Sequence, residues 1–102
     1  MQADDRKTEA RVKLRVRNYL KSLGDRCWFF MPVSNGMGVI GIPDFICCID
    51  GKFVAIETKA PGKRWNVTEH QRRQLDAINR ANGVAYVTDN GDDIPVLVKV
   101  AL

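Results

Sequence analysis

At 102 residues the chain is one domain's worth and can bury only a modest core. Its 45% hydrophobic and 27% charged residues exclude a disordered polymer, and no apolar run approaches membrane-spanning length. A net charge of +4 admits a polyanionic partner without requiring one.

Asp4 and Asp5 are candidate caps for a first helix that runs to about Leu23, with Gly24 as its stop. Val12, Val16, Tyr19, Leu20 and Leu23 form one apolar helical stripe. Arg6, Lys7, Arg11, Lys13, Arg15, Arg17 and Lys21 cover the rest of the surface. Leu14 lies on the basic side, either as a plain exposed leucine or as a subunit contact.

Residues 27–33 read as a buried strand, followed by a glycine-rich loop over 34–41. Residues 45–49 and 52–59 read as two strands joined by Asp50-Gly51, a strong hairpin signal. The three cysteines, Cys27, Cys47 and Cys48, fall in these apolar runs. An odd count with an adjacent pair is no disulfide framework, so they read as reduced core residues of a cytoplasmic protein. A zinc site would need histidines at ligand spacing, and His70 is the only one.

A loop over 60–67 leads to a second helix. Thr68-Glu69-His70-Gln71 has the form of a capping box, Leu75, Ile78 and Ala81 supply the apolar side, and Gly83 ends the helix. Strands are expected over 84–88 and 96–100, joined by a polar turn. The order α-β-β-β-α-β-β implies a mixed sheet with helices packed on it, in a single domain over 1–102.

The hairpin sets a geometry. If Asp50-Gly51 is a two-residue turn, opposed residues sum to 101 and Asp44 stands opposite Glu57. Lys59 shares a face with Glu57 by the period of two. Opposed carboxylates must protonate, find cations or bind a metal, and oxygen ligands at this spacing suit Mg²⁺ or Mn²⁺. Lys59 alone could instead make the cluster a salt bridge. Glu9 extends the apolar stripe of the first helix, where an ionised carboxylate needs a partner. Gln71, four residues before Leu75, either closes the capping box or reaches into the site.

Gly41-Ile42-Pro43-Asp44, then Glu57-Thr58-Lys59, resembles the signature of the PD-(D/E)XK nucleases. The Gly-Ile-Pro-Asp form, the Lys59-Ala60-Pro61-Gly62 run and Thr68-x-x-Gln71 resemble the VRR-NUC (virus-type replication-repair nuclease) family over roughly residues 5 to 88. The resemblance implies a restriction-endonuclease-like α/β fold: a mixed β-sheet flanked by helices. It implies a Mg²⁺- or Mn²⁺-dependent DNA endonuclease. Asp44, Glu57 and the Thr58 carbonyl would be metal ligands, and Glu9 a ligand directly or through water. Lys59 would position water or stabilise phosphoryl charge, and Gln71 would support the site. Stand-alone members of this size are commonly viral or bacterial homodimers that act on branched DNA such as four-way junctions.

The basic residues then gain a role as phosphate contacts, with Lys63 and Arg64 as the leading candidates. Asn35, in the glycine-containing loop, can approach a DNA backbone closely. Trp65 either stacks on a base or packs at the core edge. His70 is either a general base or a surface residue. The competing readings are a non-catalytic DNA-binding module with the same fold and an interaction protein whose charged cluster is a salt-bridge network.

Overall fold

The computed structural model describes residues 5–33 and 38–101, with no account of the side chains of residues 5–7. Asp4 and Asn35 lie outside the described residues. Helix α1 (Asp5–Ser22) is followed by a short 3₁₀ turn and strand β1 (Cys27–Phe30). Strands β2 (Phe45–Ile49) and β3 (Lys52–Thr58), helix α2 (Glu69–Arg80), strand β4 (Val84–Thr88) and helix α3 (Ile94–Ala101) complete the chain. The four strands form one sheet in the order β1-β2-β3-β4. The first two pairings are antiparallel and β3–β4 is parallel, with α2 as the crossover.

Asp50 and Gly51 have φ of 50° and 83°, the double positive φ of a two-residue type I′ turn. Pairing therefore begins at Ile49↔Lys52 and runs to Phe45↔Ile56, the register read from the sequence. Alternation sends Phe45, Cys47, Ile49, Val54 and Ile56 to one face. There they pack with Val16 and Leu20 of α1 and Ile94 and Val98 of α3. The opposite face carries Cys48, Phe53 and Glu57. Helix α2 lies over part of that face, with Leu75 buried and Ile78 close to Gly83 and Phe53.

Three expectations are corrected. Residues 96–100 belong to α3 and form no strand, so the order ends β-α. Ile94, Leu97 and Val98 recur at i, i+3 and i+4 and turn one face to the core, which outweighs the β-propensity of the valines. Strand β1 stops at Phe30, because Pro32 has no N–H to give a ladder. Cys48 is exposed, while Cys47 is buried and Cys27 half-buried. The alternation that buries Cys47 turns its neighbour outward.

Gly41 pins the segment entering β2. Its φ is +86°, and a Cβ there would meet the His70 backbone carbonyl carbon and oxygen at 2.5 Å and the Gln71 nitrogen at 2.8 Å. The chain thus lies directly on the first turn of α2, a contact only glycine permits. Gly41→Ala is expected to destabilise the fold by at least about 2 kcal/mol through combined backbone clash and strain. A urea midpoint equal to the wild type's would contradict this packing.

Candidate active site

Asp44 lies one residue before the β2 ladder and meets the end of β3. Its backbone N–H donates to Glu57 Oε1 at 3.2 Å. Its own Oδ2 accepts from the Thr58 backbone N–H at 2.9 Å and the Thr58 hydroxyl at 2.6 Å. The other oxygen, Oδ1, faces Lys13 Nζ of α1 at 3.8 Å. The hydroxyl and backbone N–H of Thr58 therefore orient the aspartate, a part that the sequence did not suggest for this residue.

Glu57 is buried at 3% exposure. Its Oε2 accepts from Gln71 Nε2 at 2.7 Å and has Lys59 Nζ at 3.5 Å. Burial first, and the nearby Asp44 charge second, push its pKa up to about 7 against the pull of Lys59. Lys59 Nζ in turn donates to Gln71 Oε1 at 2.8 Å.

Gln71 satisfies both of its alternative readings at once. Its Oε1 accepts from the Thr68 N–H at 3.0 Å, and its N–H donates to Thr68 Oγ1 at 3.2 Å, which closes the capping box. The same amide bridges Lys59 and Glu57. The helix cap and the bridge between Lys59 and Glu57 are one side chain.

The structure thus brings Asp44, Glu57, Thr58, Lys59 and Gln71 together. Glu9 is half-buried on α1, one turn before Lys13. Among the described residues no group of three or more acids, histidines or cysteines gathers, so Glu9 does not join the two acids in a cluster. Lys13 was missed by sequence reasoning, which counted it with the solvated basic surface. Its position four residues after Glu9, on the same flank, was the available signal.

Arg64 is engaged internally. It pairs with Asp93, lies 3.4 Å from Asp89 and sits 5.7 Å from the centre of the Tyr86 ring. Asp89 also accepts from the Gly62 N–H at 3.0 Å, so the loop after Lys59 is tied to the end of β4. Lys63 and His70 are exposed. Trp65 is 82% exposed and does not pack at the core edge.

The donor set fits a hard divalent cation. Two carboxylates lie within one hydrogen-bonded unit, one of them is held back from ionising by burial, and Asp44 Oδ1 is turned toward a cation. The side-chain oxygens that could face such an ion are those of Asp44 and Glu57.

No family model matches the sequence, and no curated protein matches it. Solved structures do. A VRR_NUC domain protein aligns with a TM-score of 0.70 and 21% identity over 90% of this chain and 85% of that one. A VRR_NUC domain aligns with a TM-score of 0.71 and 18% identity over 93% of this chain and 98% of that one. The chain therefore shares the fold of these domains, a mixed sheet flanked by helices. More specifically, its fold is that of the VRR_NUC domain.

The raised Glu57 pKa carries a stability consequence. Below about pH 4.5 folded and unfolded chains both hold the proton. Between about 4.5 and 7 the unfolded chain has released it and the folded one has not, so stability falls as pH rises through this window. Without divalent metal, the loss is expected to be of order 1–3 kcal/mol by pH 7.5. Glu57→Gln should flatten that part of the profile. Thermal melts in chelator from pH 5 to 8 check this, and an equal slope in both proteins would contradict it.

Proposed function

We propose that this chain is a metal-dependent DNA endonuclease of the VRR-NUC type. The observation that carries the reading is the buried Glu57 carboxylate, hydrogen-bonded to Asp44 and held between Gln71 and Lys59. The fold likeness to VRR_NUC domains supports it.

Asp44, Glu57 and the Thr58 carbonyl would hold Mg²⁺ or Mn²⁺, with Glu9 contributing through water. Such an ion lowers the pKa of water and acts as a Lewis acid toward phosphoryl oxygen. Thr58 fixes the Asp44 carboxylate by two donors, which limits its rotation. Gln71 holds the Lys59 ammonium beside Glu57, where it can position the attacking water or neutralise charge gathering on the phosphoryl group. Water adds to phosphorus and the bond to the departing sugar oxygen breaks. Lys63 meets a flanking phosphate, Asn35 remains a candidate contact to the DNA backbone, and Trp65 is available for base stacking. Arg64 serves chiefly by shaping the loop. A binding module alone has no need of two carboxylates beside a phosphate.

Asp44→Asn and Glu57→Gln are each expected to abolish cleavage, by at least about 100-fold, while keeping a cooperative melt. Lys59→Ala should lose most of the rate and still bind Mn²⁺ by calorimetry. Glu9→Gln should lower turnover when metal is limiting. Full activity in either carboxylate variant would remove the site assignment. No cleavage of any DNA by the wild type, with binding retained, would favour the non-catalytic module.

The finer reading is a homodimer that prefers four-way or otherwise branched DNA. Leu14 on α1 and Val96 and Val100 on α3 are 52%, 60% and 80% exposed and offer apolar contact surface. A two-fold pair of sites suits a substrate with near-symmetric arms. Light scattering should give twice the chain mass at micromolar concentration, with faster cleavage of junctions than of linear duplex. A monomer that cuts both equally would defeat this reading.

A further inference from the structure

We propose that Lys13 is an exchangeable cation of this site. It neutralises Asp44 when the acids hold no metal, and it turns to a substrate phosphate oxygen when they do. The proposal rests on the nuclease reading above.

The two acids each have an ammonium, and the two pairings differ in kind. Lys59 is 13% exposed, lies 3.5 Å from Glu57 and is anchored by a 2.8 Å hydrogen bond to Gln71. Lys13 is 37% exposed and stands 3.8 Å from Asp44 Oδ1, a Coulombic contact too long for a hydrogen bond. Its backbone is fixed on α1 beside buried Val12 and near buried Val16, so the stem is rooted and the ammonium is free to swing. Lysine suits such exchange, being a compact charge on a flexible four-carbon stem.

Charge arithmetic sets the direction. With both acids ionised, as a metal requires them to be, two carboxylates and two ammoniums are neutral together. A divalent ion held by the carboxylates would raise the total by two, and the less anchored ammonium would be the one repelled. The phosphodiester then brings a negative charge to the same mouth, where Lys13 remains within reach. One side chain thus competes with the metal in the free protein and assists the substrate in the loaded one.

The test uses the full-length protein. Mn²⁺ alone is titrated calorimetrically, without DNA, into wild type, Lys13→Gln, Lys13→Arg and Lys21→Gln, the last an exposed basic residue in the final turn of α1. Lys13→Gln should bind Mn²⁺ about threefold to tenfold more tightly, because its competitor is gone. Lys21→Gln should match the wild type, and Lys13→Arg, which keeps the charge, should bind Mn²⁺ no more tightly than the wild type. With DNA and Mn²⁺, Lys13→Gln should show a lower kcat/KM, and the log–log dependence on salt should flatten by about 0.9. Equal or weaker Mn²⁺ binding by a cooperatively folded Lys13→Gln overturns the competition. An unchanged salt slope overturns the phosphate contact. If wild type binds no Mn²⁺, the nuclease reading itself fails and this proposal falls with it. If wild type binds Mn²⁺ and Lys13→Gln binds it no better, only this proposal fails.

Discussion

The register of the β2–β3 hairpin is the constraint from which the site follows. Positive φ at Asp50 and Gly51 makes a turn that closes at Ile49↔Lys52, and every later pairing is counted from there. A slip of one residue would carry Glu57 into the core and turn Ile56 outward. That slip is opposed by the fully buried Phe45, Ile49, Val54 and Ile56. Each such side chain gains roughly 1.5–3 kcal/mol by burial. The energy that assembles the core therefore also fixes which residue faces Asp44.

Onto this frame the Gln71 amide joins two tasks. It caps α2 through Thr68, and it bridges Lys59 to Glu57. The start of the helix and the charge balance of the site are consequently one hydrogen-bonded unit. Gly41 adds the third member, because its missing side chain lets the segment before Asp44 rest on the same helical turn. Asp44, Lys59 and Gln71 come from three separate stretches of chain. The hairpin register sets Asp44 beside the end of β3, and the contact at the head of α2 brings Gln71 to both.

The hairpin, its register and the Asp44–Glu57–Lys59 grouping were legible because each rests on local rules: turn chemistry, a period of two and a short spacing. The capping box was legible for the same reason. Its second task was visible only as an alternative, since the two readings of Gln71 are decided by three-dimensional distance. Lys13 was signalled only by Glu9 one turn before it, and Arg64 not at all. One looked like a solvated helix face and the other like a free loop cation, and their partners lie 31 and 29 residues away. The final element was misread because valines over 96–100 favour strands locally. The stripe of Ile94, Leu97 and Val98 was present but was overruled by composition.

That misreading bears on the site as well as on the fold. Asp93 stands just before α3 and its carbonyl accepts from the Leu97 N–H at 2.9 Å, so the first turn of this helix sets its place. A carboxylate there is also favoured by the helix dipole. From that position Asp93 accepts from the hydroxyls of Tyr86 and Thr88 and pairs with Arg64. Arg64 reaches Asp89, and Asp89 holds the Gly62 N–H of the loop that leaves Lys59. A strand at 96–100 would place no helix start at Asp93 and would leave this chain of contacts without its anchor. The terminal helix therefore acts on the site at a distance. Through Asp93 at its start it neutralises Arg64 and ties down the loop that leaves Lys59, with the neighbouring Lys63 left exposed.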